Sequence, residues 1–86
     1  MNINELIANV KKKLEENINI QSVLIEDKTF LHKNHVGHDH KKFHLKISVH
    51  SKELSALNKI ESNKKIYKLL DYELKSHIHS LQILII

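Results

Sequence analysis

The sequence predicts an α+β fold in which a layer of helices packs on a three-stranded mixed sheet as a two-layer sandwich. Two segments repeat their apolar residues with the period of a helix, and three shorter ones have the alternation or the β-branched content of strands. They follow one another as helix, strand, strand, helix, strand. A chain of 86 residues has room for one hydrophobic core only, so residues 1–86 are expected to form a single domain.

The first predicted element is a helix within residues 1–16. Asn2 or Asn4 can cap its start, and Glu5 lies near the positive end of the helix dipole. An amphipathic start that carries acidic residues is not typical of a signal peptide. The apolar stripe of this helix consists of Ile3, Leu6, Ile7, Val10 and Leu14.

Two strands are expected next, over Ile18 to Asp27 and over Phe43 to His50. The first is rich in β-branched residues, although its alternation is irregular. The second alternates strictly between apolar and polar residues, which places one face toward the core and the other toward solvent or a neighbouring element. The two can pair as a hairpin with a long loop.

The loop between these strands, Thr29 to Lys42, has no apolar periodicity and contains the only glycine of the chain, Gly37. A loop this long in so short a chain is often functional. It carries four of the eight histidines, namely His32, His35, His38 and His40.

The last part of the chain predicts a connector, a helix and a strand. Ser51 to Ala56 is a short link with room for one helical turn, and Leu57 to Ser76 has a helical pattern in which Tyr67 and Tyr72 are expected to pack. The segment His79 to Ile86 is short, apolar and typical of a strand. A right-handed crossover would place it parallel to the second strand. The apolar face of the helix is expected to contain Ile60, Ile66, Tyr67, Leu69, Leu70 and Leu74.

Composition excludes several classes of site. Without cysteine the chain forms neither disulfides nor thiolate metal sites, so any metal must be bound through histidine or carboxylate groups. No cysteine nucleophile, Gly-x-Ser-x-Gly elbow or phosphate-binding glycine loop is present, and an enzyme is not expected. No apolar run approaches the roughly 20 residues that span a membrane.

Four segments, taken in order, resemble the BolA family. They match its first-strand end, its "HFxVxxVS" strand, the "RHRxVY" stretch of its helix and the "(V/I)HAL" start of its last strand. The matching residues are Asp27 to Thr29, His44 to Ser51, Ser62 to Tyr67 and Ile78 to Leu81. The resemblance covers nearly the whole chain and implies a fold similar to the type II KH domain.

The same resemblance implies a non-enzymatic function. Proteins of this family form heterodimers with monothiol glutaredoxins and share a [2Fe-2S] cluster with the glutaredoxin and its glutathione. Here the ligand at the head of the last strand corresponds to His79, and the ligand from the loop to His32, with His35 and His38 as alternatives. His44 is expected to lie near His79 and to orient it or the loop. The free chain is expected to bind no cofactor.

This assignment is chemically reasonable. Imidazoles that replace thiolates on iron remove negative charge and raise the reduction potential of a cluster. Only neutral imidazole coordinates, so such binding depends on pH. Taken alone, His79 would more often be a hydrogen-bonded surface histidine. We expect His77 to face solvent and His50 to be structural or exposed.

Two other functions fit parts of the sequence. A nucleic-acid-binding transcriptional regulator would suit the net charge of +4. However, the 14 basic residues are scattered lysines, and a single glycine cannot form the Gly-x-x-Gly loop of a nucleic-acid-binding KH domain. The loop histidines could instead bind Zn²⁺ without a partner. The resemblance suggests the cytoplasm, with the mitochondrion as the alternative.

Overall fold

The computed structural model describes residues 1–29 and 42–86. It confirms the α+β class: the described residues form four helices and a three-stranded mixed sheet. A likeness to the type II KH fold is compatible with this topology and stays a prediction, as does the single domain. In chain order the elements are α1 Ile3–Asn17, β1 Ser22–Asp27, β2 Phe43–His50, α2 Lys52–Ser55, α3 Lys59–Leu69, α4 Asp71–Ser76 and β3 Ile78–Ile85.

Helix α1 begins where a side-chain cap is available. The Oδ1 atom of Asn2 accepts a hydrogen bond from the backbone N–H of Glu5 at 2.8 Å, so Asn2, and not Asn4, is the N-cap. The predicted stripe is confirmed at its centre, where Leu6, Val10 and Leu14 are fully buried.

Strand β1 starts later than the sequence predicts. Ile18 is the C-cap of α1, and its backbone N–H donates to the carbonyl of Leu14. Ile18 is buried in the core at the end of the helix. Its β-branched side chain therefore packs in the core and does not belong to a strand. The predicted strand of Ile18 to Asp27 is therefore wrong for its first four residues and correct from Ser22 to its end.

The sheet has the order β1-β2-β3, with β1 antiparallel and β3 parallel to β2. The parallel pairing confirms the crossover expected from the strand, helix and strand sequence. One cross-strand row joins Ile25, Ile47 and Ile83. This row lies on the face that packs against the helices.

The single helix predicted for Leu57 to Ser76 is two helices, α3 and α4. They are divided at Leu70, which has φ −99° and ψ 18° and is fully buried. The turn lets both Leu70 and Glu73 of the next helix reach the interior. Three members of the predicted packing set lie outside the core: Ile60, Tyr67 and Tyr72 are 71%, 42% and 61% exposed.

The core lies between the helices and one face of the sheet. Residues 80, 82 and 84 of β3 lie on the opposite face and are exposed, whereas residues 81, 83 and 85 are partly buried toward the core. No described helix is long and apolar enough to cross a membrane. The buried apolar residues are Leu6, Val10, Leu14, Ile18, Leu45, Ile47, Val49, Leu54, Ile66, Leu70 and Ile78.

Candidate functional site

The head of β3 contains an irregularity of the sheet that exposes His79. Phe43 pairs with Ile78, but the next residue of β2, His44, pairs with Ser80. His79 is thus an extra residue in β3, as in a β-bulge, and bulges re-aim side chains. Ile78 before it is buried in the core, while His79 and Ser80 are both exposed.

The imidazole of His79 stacks on that of His44. The two ring centroids are 4.9 Å apart and the planes are inclined by 24°. His44 is only 6% exposed, although its position in β2 belongs to the polar alternation. His44 thus lies beside His79 as the buried ring, with His79 as the accessible one, and its role in orienting His79 stays a prediction.

Hydrogen bonds hold His44 from both sides. Its Nδ1 atom lies 2.5 Å from the hydroxyl oxygen of Ser80, which is on the neighbouring strand. Its backbone N–H donates to the hydroxyl of Thr29, and its carbonyl accepts from the N–H of Lys28. The plane of the buried ring is thus fixed by contacts to β3, and its backbone by contacts to the end of β1.

A turn at the end of β1 supports the same place. The carboxylate of Asp27 accepts hydrogen bonds from the backbone N–H and the hydroxyl of Thr29. Thr29 in turn contacts His44, so the chain leaves β1 for the histidine-bearing segment next to the imidazole pair. The predicted loop ligands His32, His35 and His38, together with His40, lie outside the described residues, so their role stays a prediction.

The remaining histidines lie elsewhere. His50 is exposed at the far end of β2, as expected. His77 was expected to face solvent, but it is half-buried and packs edge-on against Tyr72, with a centroid distance of 5.7 Å. The reason is that β3 has not begun at His77, which is the C-cap of α4 and donates its N–H to the carbonyl of Glu73.

The donor groups among the described residues of the site are few. Within residues 1–29 and 42–86, no group of three or more histidine, cysteine or carboxylate side chains could hold a metal ion. His79 offers one accessible imidazole, whereas the Nδ1 atom of His44 is engaged by Ser80. The described residues therefore fit one ligand to a metal centre whose other ligands come from elsewhere.

Sequence reasoning missed the positions of Ser80 and Thr29 in this site. Ser80 lies inside the "(V/I)HAL"-like motif, but nothing in the motif shows that its hydroxyl meets His44 on another strand. A partial signal exists, because polar residues at the heads of two neighbouring parallel strands can meet on one face. The bulge that brings them into register has no local signature, because neither glycine nor proline occurs there.

Comparisons with known proteins point to one family. Residues 14–86 match the family model described as BolA-like protein. No curated protein sequence gives a significant match.

Solved structures agree with this family match. The chain is similar to the BolA domain of SufE1 from Arabidopsis thaliana, with 28% identity, a TM-score of 0.76 and coverage of 91% of this chain and 86% of that one. It also shares its fold with BolA1 from Arabidopsis thaliana, at 24% identity, a TM-score of 0.76 and the same coverage of 91% and 86%. BolA1 from Mus musculus also has a similar fold, with 18% identity and a TM-score of 0.72. The match covers 90% of this chain and 60% of that one.

Proposed function

The chain belongs to the BolA-like protein family, and on this premise we propose that it is a non-enzymatic partner of a monothiol glutaredoxin in [2Fe-2S] cluster binding or transfer. His79 would supply one ligand to a cluster shared with the glutaredoxin and its glutathione. The second ligand would come from the segment between β1 and β2, with His32 first and His35 or His38 as alternatives.

The observation that carries this proposal is the accessible, oriented imidazole of His79. A ligand that closes a site between two proteins must be exposed in the free protein and must point in a defined direction. The bulge exposes His79, and the stacked ring of His44 restricts its orientation. A histidine that served only packing would be buried or would make its hydrogen bonds within the fold.

His44 has the properties of a positioning residue. Residues that contact a metal ligand, but not the metal, set the orientation and basicity of that ligand. Their loss commonly weakens metal binding about 10- to 100-fold. His44 is buried, stacks on His79 and is bonded to Ser80. We therefore assign ligation to His79, and orientation to His44 with Ser80.

The donor set explains why a partner is needed. The chain has no cysteine, so the thiolates that iron–sulfur clusters require must come from the glutaredoxin and glutathione. Imidazole ligation by this chain would give the shared cluster a higher reduction potential than all-thiolate ligation. Only a neutral imidazole can coordinate iron.

The decisive experiment reconstitutes the cluster with a monothiol glutaredoxin, glutathione, iron and sulfide. Wild-type chain should form a 1:1 heterocomplex whose visible absorption and circular dichroism differ from those of the glutaredoxin homodimer. His79→Ala should abolish that difference. His50→Ala is the matched control, since His50 is an exposed histidine at the other end of the sheet, and it should behave as wild type.

Separate alanine variants of His32, His35 and His38 would then identify the second ligand. One of them should alter the heterocomplex spectrum as strongly as His79→Ala does. A wild-type chain that neither binds the glutaredoxin nor changes its spectrum would refute the proposal. Nucleic acid binding, the rival function, has its own signature, since its affinity would fall steeply as the salt concentration rises.

A further inference from the structure

Within residues 1–29 and 42–86, the outer edge of β3 is paired with no other strand, and its backbone groups could pair with an added one. The strand is last in the sheet order, and the N–H of Ile86 donates to the carbonyl of Val49 in β2. Even-numbered residues of β3 therefore bond to β2, and the backbone groups of Leu81, Ile83 and Ile85 point away from it. Among the described residues, one contact to this edge is seen, from the hydroxyl of Tyr67 to the carbonyl of Leu81 at 3.1 Å.

This edge lacks the features that usually keep sheet edges apart. Proteins protect edge strands with charged residues, prolines or a short length. Strand β3 has eight residues and includes no lysine, arginine, carboxylate or proline. The other edge strand, β1, is different, because Glu26 and Asp27 lie in it and Glu26 forms an ion pair with Lys28.

A groove beside the tail of β3 can receive the side chains of an added strand. Its volume is about 430 Å³, and its walls include Leu54, Leu57, Ile83 and Ile85. On the opposite face of the sheet, Leu84 is 49% exposed. A strand added at this edge would therefore contact apolar side chains on both faces of the sheet. Its backbone could form hydrogen bonds with the outward-pointing backbone groups of β3.

We propose that this edge pairs with the β3 strand of a second copy of the chain, antiparallel and about a two-fold axis at Ile83. A two-fold interface must be complementary to itself. About this axis Ile83 meets its own counterpart, and Leu81 meets Ile85 of the second copy. On the open face, Gln82 meets Leu84 of the second copy.

The lack of charge in β3 favours a second copy as the occupant. The chain has a net charge of +4, so two copies can approach closely only along a surface from which lysines are absent. Strand β3 itself contains no lysine, and every pair made by the two-fold axis is apolar or uncharged. Lys59 is the one charged residue that lines the groove. In this register Leu81 of one copy lies opposite Ile85 of the other and would extend into the groove at Ile85.

The paired segment runs from Leu81 to Ile85 and does not include His79. The dimer is thus independent of the proposed cluster function, and the test needs no glutaredoxin. Sedimentation velocity of the isolated chain, from micromolar to millimolar concentration, should show a monomer–dimer equilibrium. In hydrogen exchange, the amides of Ile83 and Ile85 should gain protection as the concentration rises.

Surface substitutions test the pairing and its register. Leu84→Lys should weaken the dimer about tenfold, since it places a charge on each side of the axis. The matched control is Leu24→Lys, because Leu24 is 58% exposed in the same cross-strand row but on the other edge strand. Adding Gln82→Glu to Leu84→Lys should restore the dimer, because in this register the two new charges meet across the axis.

Three results would overturn the proposal. The first is a monomer at every concentration, including the case in which the edge pairs only with a different protein. The second is an equal loss of dimer in Leu24→Lys and Leu84→Lys. The third is a dimer that forms without added protection at Ile83 and Ile85.

Discussion

The two ends of β3 differ in how their polar groups are used. At the head, a bulge turns His79 outward, and the neighbouring polar groups are bonded within the fold through Ser80, His44 and Thr29. At the tail, the strand is apolar, and the backbone of Ile83 and Ile85 points to the open edge. One strand therefore presents an oriented imidazole at one end and, at the other, backbone groups that pair with no strand of the described residues.

A single extra residue in β3 separates the surface at its head from the surface at its tail. If β3 were regular through His79, the side chains of Ile78 and Ser80 would lie on the same face of the sheet, because side chains alternate along a strand. The bulge instead sends Ile78 into the core while Ser80 stays on the open face. A change at the head should therefore affect cluster binding, and a change at the tail should affect self-association.

The largest expected effect comes from the ion pair that anchors the helix before the head. Glu73 of α4 is 3% exposed, and its carboxylate accepts from the Nζ of Lys13 in α1 at 2.8 and 2.9 Å. Lys13→Met would leave a buried carboxylate unpaired. Since Lys13 is itself partly exposed, we expect a loss of about 2 kcal/mol in the free energy of unfolding.

Urea unfolding measures this loss, and Lys12→Met is the control, because Lys12 is exposed on the same helix. In hydrogen exchange the head of β3, which follows α4 directly, should lose protection before the tail. Equal stability of the two variants would show that the pair does not anchor the head.

A smaller effect is expected at the head itself. Ser80→Ala removes the hydroxyl that is bonded to His44, with a cost of about 1 kcal/mol in stability. The less restricted ring of His44 should weaken cluster binding by the heterocomplex about tenfold, measured by titration of its circular dichroism.

Ser48→Ala is the matched change on β2, in the row between Leu24 and Leu84, and it should leave cluster binding unaltered. The self-association of Ser80→Ala should equal that of wild type. A reversed pattern, in which Ser80→Ala weakens the dimer and spares the cluster, would contradict the division of β3 into two surfaces.

The smallest effect concerns Glu53 of α2, the helix that lines the groove beside the tail. The hydrogen bond from the Lys65 ammonium group, followed by that from the backbone N–H of Asn19, holds the pKa of Glu53 below its ordinary value of 4.5. Because its pKa is lower in the folded chain, ionised Glu53 stabilises the fold when the pH is above the ordinary pKa of a glutamate. This stabilisation is lost as the pH falls through the lowered pKa of Glu53.

The stability difference between wild type and Glu53→Gln should therefore be present at neutral pH and disappear in acid below pH 4.5. Unfolding curves recorded across this range measure it. A difference that persists unchanged into strong acid would show that the charge of Glu53 contributes nothing.

Much of the fold could be predicted because its signals are local. The strict alternation of β2 predicted its bounds from Phe43 to His50, and the capping side chain at Asn2 agreed with the start of α1. The failures arose where a residue has a tertiary role. Ile18 resembles a strand residue but closes a helix into the core, and Leu70 divides a helix without any helix-breaking residue.

The candidate histidines could be named from the sequence, whereas their geometry could not, and their roles at a cluster stay predictions. His79 and His44 were both identified, since each lies in a segment that resembles the BolA family. Their stacking and the bond from His44 to Ser80 were not, because these contacts join residues 35 and 36 positions apart in sequence.

The order of the elements and the alternation of β2 could be predicted from local periodicity, which depends on neighbouring residues. The parallel course of β3 could be predicted from the handedness of a strand–helix–strand connection. Only the tertiary structure decided the bulge at His79, the burial of His44 and the open edge of β3. Strand register depends on how the whole helix layer packs, since one residue of slip exchanges the buried and exposed faces of a strand.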